Sequence, residues 1–284
     1  MTGSTSYTIT LYPYNANNVV GQTISYAITT LPAIIFANTA ITGIGTTSFT
    51  VNFTGAGYTT YYVAWTGTNG NNNNQSSGTS YNVTNLGANT ADLITVTPYT
   101  GAISGNSIST TGYTLAFLSS ASVSGTDGVF LTIVFSGSLS SVIITWTGNV
   151  SGNSGYITTS PYNITGLYGL QTYNISVRAY NSQNVGNNTI SFNGTTNANV
   201  RGITYSSTSN SITMNWSLTG EFSYIRSSLN DLYLSPIVSP PTASYTWQSP
   251  TPIAANTTYT VKLFAYNASN NIGNYYIYSI TTTA

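Results

Sequence analysis

The chain has 284 residues, and Lys, Arg, Asp and Glu together make only 3% of it, with no net charge and with 40% hydrophobic residues, where about a quarter charged is usual. With neither cysteine nor histidine, it has no disulfide framework, thiol nucleophile or cysteine/histidine zinc site. Four basic residues cannot neutralise many phosphates, which argues against nucleic acid as a partner. Twenty-four Tyr, nine Phe and four Trp are a folding composition rather than a disordered one. The longest apolar stretch, residues 31–37, is far short of a membrane span. Residues 1–14 lack the charged and apolar regions of a secretion signal.

In chain order, β-rich runs bounded by Gly, Asn or Ser fall at residues 48–53, 61–65, 129–135, 142–146 and 211–216. Nothing in the pattern suggests a helix. The tract 69–75 (NGNNNNQ) reads as a polar loop tip. One segment recurs four times, at residues 7–15 (YTITLYPYN), 92–100 (DLITVTPYT), 173–181 (YNISVRAYN) and 259–267 (YTVKLFAYN). Its period, in the eighties, is the size of a small domain. Tyr173, Ile175, Val177 and Ala179 alternate with Asn174, Ser176, Arg178 and Tyr180, the pattern of a half-buried strand. Each copy is followed by a turn and a run ending in paired threonines, Thr29-Thr30, Thr110-Thr111, Thr195-Thr196 and Thr282-Thr283.

These motifs resemble fibronectin type III repeats. The resemblance implies a buried aromatic near the end of the second strand, matched by Trp216, Phe53 and Phe135. It also implies a Leu six residues before a strand-F Tyr, the tyrosine corner. Leu167 with Tyr173 fits, and so does Ile253 with Tyr259. Leu86 fits too, but Asp92 stands where its Tyr should, and Met1 aligns with the corner Leu of the first copy. The expected fold is all-β: tandem Ig-like/fibronectin type III-like antiparallel sandwiches in an elongated array, at residues 31–112, 113–196 and 197–284. Residues 1–30 form a partial domain of strands F and G only.

Candidate chemistry is sparse. Asp92, Asp127, Glu221 and Asp231 are scattered. A paired-carboxylate site of Glu221 and Asp231 is conceivable, but Glu221 and Arg226 flank a strand and read as a solvated surface pair. One acid per domain does not hold calcium, so neither cofactor nor metal is expected, and the chain reads as a non-enzyme.

Asn-x-Ser/Thr sequons occur at Asn52, Asn74, Asn82, Asn149, Asn163, Asn174, Asn187, Asn193, Asn215, Asn256 and Asn267. An Asn- and Thr-rich composition generates such triplets by chance, so they stand as glycosylation candidates. Trp65 and Trp146 end corresponding strands and read first as core. The outward Tyr14, Tyr99, Tyr180 and Tyr266 suit either sheet packing or contacts. The hairpin of residues 1–30 has an inward face of Tyr7, Ile9 and Leu11. It is expected to pack against upstream residues of a longer parent chain, another subunit, or the domain beginning at Leu31.

Charge depletion suits close lateral packing. The composition resembles repeat proteins of large DNA virus particles and surface filament proteins of archaea from acidic habitats. The expectation is therefore a structural component on the exterior of a virion or at a cell surface, its partners other copies or neighbouring subunits, with glycans as a second class of partner. The alternative is an adhesin or carbohydrate-binding module. An array should bury its aromatics or repeat them in every domain, whereas a binding module should gather them on one.

Overall fold

The computed structural model describes residues 5–31, 33–67 and 70–284. Met1 and Asn69, both given roles by the sequence, lie outside them. In chain order, β1 (Ser6–Leu11) and β2 (Ile24–Thr29) form a hairpin. The first sandwich follows, with β3 (Ile35–Thr42), β4 (Phe49–Thr54), β5 (Thr60–Gly67), β6 (Gly70–Ser76), β7 (Ser80–Val83), β8 (Ala91–Thr100), β9 (Ile103–Ser104) and β10 (Ile108–Tyr113). The second comprises β11 (Phe117–Thr126), β12 (Phe130–Ser138), β13 (Ser141–Thr147), β14 (Gly152–Ile157), β15 (Tyr162–Thr165), β16 (Thr172–Tyr180) and β17 (Gly186–Thr195). The third comprises β18 (Arg201–Ser207), β19 (Ile212–Ser217), β20 (Tyr224–Leu229), β21 (Tyr233–Leu234), β22 (Ser244–Trp247), β23 (Thr258–Tyr266) and β24 (Ile272–Thr281).

Each sandwich sets a three-stranded sheet against a larger one: β3-β4-β7 with β6-β5-β8-β10, β11-β12-β15 with β14-β13-β16-β17, and β18-β19-β22 with β21-β20-β23-β24. In strand letters this is A-B-E against C′-C-F-G, a fibronectin type III-like arrangement. The chain is thus a tandem array of all-β sandwiches. It divides into two compact units. One is Met1–Phe117 with Ser138–Ser140 and Tyr180–Asn187; the other is Leu118–Gly137, Ser141–Ala179 and Asn188–Ala284.

Alternation decides which side chains make the cores. Along β16 the odd positions Tyr173, Ile175, Val177 and Ala179 are fully buried, and β23 buries Tyr259, Val261, Leu263 and Ala265 in the same way. Trp216, Phe53 and Phe135 are all buried. Tyr173 closes its corner by accepting the N–H of Tyr168 at 3.0 Å, and Tyr259 accepts that of Ala254 at 2.8 Å. In the first sandwich, Asp92 takes the corner position. It is buried and accepts a hydrogen bond from Thr90 Oγ1 at 2.8 Å. Gly67 lies against its carboxylate so closely that any side chain there would collide with it.

Two expectations are corrected here. The Asn-rich tract is strand rather than loop. Residues 70–76 are β6, paired antiparallel with β5 from Tyr61↔Ser76 to Gly67↔Gly70. Backbone pairing with β5 outweighs the low strand propensity of asparagine. The threonine motif, moreover, depends on a single residue per copy. That residue's N–H donates to the carbonyl preceding strand F while its hydroxyl accepts the N–H there. The four are Thr30 (on Thr5), Thr114 (on Thr90), Thr196 (on Gln171) and Thr282 (on Thr257). In the first sandwich the role therefore falls to Thr114, not to Thr110-Thr111.

Candidate functional site

Three of the eight charged residues, Asp127, Arg201 and Glu221, meet where the second and third sandwiches join inside one compact unit. The joint uses the β11–β12 turn and the β15–β16 loop of the second sandwich. From the third it uses the run into β18, the β19–β20 loop and the start of β24. Glu221 is 1% exposed. Its Oε2 accepts the Gly169 N–H at 2.7 Å and Asn199 Nδ2 at 3.2 Å, while Oε1 accepts Arg201 Nε at 2.7 Å. Arg201 also donates to Leu167 O at 2.7 Å and lies over the Tyr168 ring at 4.8 Å. Alongside, Asn274 donates to Asp127 Oδ1 at 2.8 Å and accepts the Gly128 N–H at 2.9 Å. Asn199, fully buried, accepts the Tyr276 hydroxyl at 2.9 Å. Gly273 packs on the Ala198 backbone with no room for a side chain.

Burial would raise the Glu221 pKa. The hydrogen bonds from Gly169, Asn199 and Arg201, with the Arg201 charge, outweigh it and hold the carboxyl below its ordinary value of 4.5. The expected surface pair of Glu221 and Arg226 is therefore wrong. Arg226 donates instead to Ser235 O at 3.0 and 3.2 Å. The antiparallel pairing of β18 with β19 sets Arg201 opposite Ser217, so the chain leaving β19 returns Glu221 to Arg201. Nor do Glu221 and Asp231 form a site. Asp231 binds Lys262 at 2.7 Å, which draws its pKa down, and shares no partner with Glu221. A carboxylate kept ionised among three donors is a structural anchor and has no proton to exchange. Among the described residues, no three acidic, His or Cys side chains cluster as a metal site, and no helix is long and apolar enough to cross a membrane.

The N-terminal hairpin repeats the F–G hairpin of the sandwiches. Its cross-strand pairs Tyr7↔Ile28, Ile9↔Tyr26 and Leu11↔Ile24 correspond to Tyr259↔Ile280, Val261↔Tyr278 and Leu263↔Tyr276. Its turn repeats as well. Asn15 Oδ1 accepts the N–H of Asn17 and Val19, as Asn181 does for Gln183 and Val185, and Asn267 for Ser269 and Asn271. Directly opposed residues share a face, so all six apolar side chains lie on one side of the ribbon, with Ser6, Thr8, Thr10, Ser25, Ala27 and Thr29 on the other. In the third sandwich the strand-F face is buried. In the hairpin Ile9, Leu11, Ile24, Tyr26 and Ile28 are 40–57% exposed.

Of the sequons, Asn74, Asn82, Asn149, Asn163, Asn174, Asn193 and Asn256 are exposed, and Asn52, Asn187, Asn215 and Asn267 half-buried. Asn187 Nδ2 is engaged by Ala116 O. Trp65 is buried and Trp146 half-buried, their indole N–H groups without hydrogen-bond partners, while Trp247 donates to Ser227.

No family model matches the chain, and no curated protein matches it. Among solved structures, it is similar to a two-domain fibronectin type III segment of chicken tenascin, with 14% identity, 57% of this chain and 98% of that one covered, and a TM-score of 0.42. It is also similar to the FN1–FN3 domains of chicken CNTN1, with 14% identity, 89% and 98% covered, and a TM-score of 0.30.

Proposed function

We propose that the chain is a non-enzymatic structural subunit of an exterior assembly, a virion surface or fibre or an extracellular filament. The observation that supports this reading most is the hairpin. It is paired along its backbone and has the side-chain pattern of a sandwich interior, yet Ile9, Leu11, Ile24, Tyr26 and Ile28 on its apolar face are exposed, with Tyr7 half-buried. Each such side chain is worth about 1.5–3 kcal/mol when buried, and a lone two-stranded ribbon is marginal in water. A neighbouring protein surface supplies what it lacks. The surrounding sheets suit packing, because their outer faces carry hydroxyl pairs where most proteins carry charge.

The exposed sequons are the positions open to sugar in such a setting. Mass spectrometry and immunogold labelling of native material test the reading together. Labelled particle or cell surfaces are expected; recovery of the protein only as a free intracellular monomer would refute it. A second reading, a binding module, is favoured by one feature: the third sandwich gathers Tyr224, Phe264, Tyr266 and Tyr275 on the outer face of its larger sheet, and its siblings do not.

A further inference from the structure

The internal repeat provides its own control for that face. At one rung of the F–G pair, three copies place two hydroxyls in contact: Thr10 with Ser25 at 2.9 Å, Thr95 with Ser109 at 2.9 Å, and Ser176 with Ser191 at 2.7 Å. The third sandwich has Lys262 opposite Ile277 there. At the next rung the first sandwich pairs Thr97 with Ser107 at 2.8 Å. The third has Phe264 opposite Tyr275, ring centroids 5.8 Å apart, flanked by Tyr224 stacked on Tyr266 at 4.6 Å. Tyr275 and Ile277 are each 56% exposed. The fold does not require this, since the first sandwich holds the same geometry at both rungs with Ser and Thr. Aromatic rings beside exposed aliphatics are the composition of a protein contact rather than of a sugar platform alone.

We propose that this face receives the hairpin of a second copy, apolar side down, so that copies join head to tail. The inference rests on the structural reading above and names its contact. Both surfaces are twisted antiparallel sheet, which stacks face to face at about 10 Å. The six rungs of the hairpin span about 20 Å, enough to cover the patch. Residues 5–30 carry no charged side chain. On the receiving face, Lys262 is neutralised by Asp231 and Arg226 is turned to Ser235 O. No charge is therefore stranded by the contact. The two surfaces differ, so the contact is heterologous and builds an open filament or a ring rather than a two-fold pair. A two-stranded footprint is small beside the roughly 800 Å² per partner of a stable pair, so the contact forms in a concentration-dependent way.

Sedimentation velocity of the full chain over a concentration series tests it, with two variants, Ile9→Ser/Leu11→Ser and Tyr275→Ser/Ile277→Ser. Serine is what the first sandwich carries at the latter two positions, Ser107 and Ser109, and circular dichroism with thermal melting verifies folding. The wild type is expected to grow beyond a dimer. Each variant alone should be monomeric, and their equimolar mixture should form a heterodimer and stop, since one intact hairpin and one intact face remain. A wild type that stays monomeric would overturn the contact without touching the surface-labelling result. A face variant that still assembles would also overturn it, pointing to hairpin-on-hairpin pairing, and so would a mixture that forms no heterodimer.

Discussion

Replacing Glu221 by Gln keeps the size of the side chain but removes the charge on which the joint between the second and third sandwiches converges. The Gly169 N–H and Asn199 Nδ2 both point at Oε2 in a buried site. An amide oxygen has two lone pairs and can take the place of Oε2 for both donors. Each bond then loses its charge assistance, about 1–1.5 kcal/mol apiece, and the amide NH2 is set against Arg201 Nε, donor against donor. Arg201 behaves differently: its side chain is 38% exposed and rehydrates, so its share falls to about 0–1 kcal/mol. The total is about 3 kcal/mol, at the lower edge of the range for breaking a buried pair. For a cooperative unit of two small domains this lowers the melting temperature by roughly 6–12 °C. Calorimetry of the full chain is the assay. The transition assigned to the joined sandwiches should shift down and split, because the carboxylate is what ties one to the other. Asp231→Asn removes an equally short ion pair on the surface and serves as control. A Glu221→Gln shift no larger than the control's, or a shifted transition that stays single, would refute the idea that Glu221 couples the domains.

Other outcomes follow from the same geometry. Because the Glu221 pKa is held below its unfolded value, its stabilisation is complete above about pH 5. It is lost as pH falls below 4.5 and through the depressed folded value, so the wild type should lose melting temperature in that window, and Glu221→Gln, left with the exposed Asp231–Lys262 pair, should lose less. Gly273→Ala drives a methyl into the Ala198 backbone. It should cost about 1–3 kcal/mol, with faster amide exchange at Asn274, whose N–H donates to Ala198 O. Trp216→Ala empties a core site that is 4% exposed and should cost about 3–5 kcal/mol in urea unfolding.

The strands that were plain in the sequence are those whose two faces differ. Tyr173, Ile175, Val177 and Ala179 announce an inside because Asn174, Ser176 and Arg178 announce an outside. β6 gave no such signal. Its Asn run has the same chemistry on both faces, and only pairing with β5 makes it a strand. The Glu221–Arg201 contact was missed for a related reason: pattern reading stays within an element, whereas this pair is made by the reversal between β18 and β19. A signal was nonetheless present, since Arg201 opens β18 and Glu221 follows β19, which places both at one end of an antiparallel pair. The aromatic face of the third sandwich is also legible in the sequence, where Phe264 and Tyr275 stand at the positions that hold Thr97 and Ser107 in the first.

The placement of the charges bears on how such a chain can pack. Asp127, Arg201 and Glu221 are confined to one joint, Asp231 and Lys262 satisfy each other, Asp92 is buried in a corner, and Arg226 is bound to a backbone carbonyl, which leaves Arg178, exposed on β16, as the charge on the outer face of the second sandwich. The outer faces are left with rungs such as Ser6–Thr29, Thr172–Thr195 and Thr258–Thr281, each a hydroxyl pair at 2.9 Å. A hydroxyl already bonded within its own sheet can be covered at little cost, whereas a solvated charge must first lose its water. Neutral rungs are also indifferent to salt and do not titrate in the carboxylate range. Packing between such faces should therefore persist across ionic strengths that dissolve charge-steered complexes. The acid sensitivity of the molecule lies instead at Glu221, where protonation loosens the joint between the second and third sandwiches, and at Asp231, whose protonation frees the Lys262 charge on the outer face of the third sandwich.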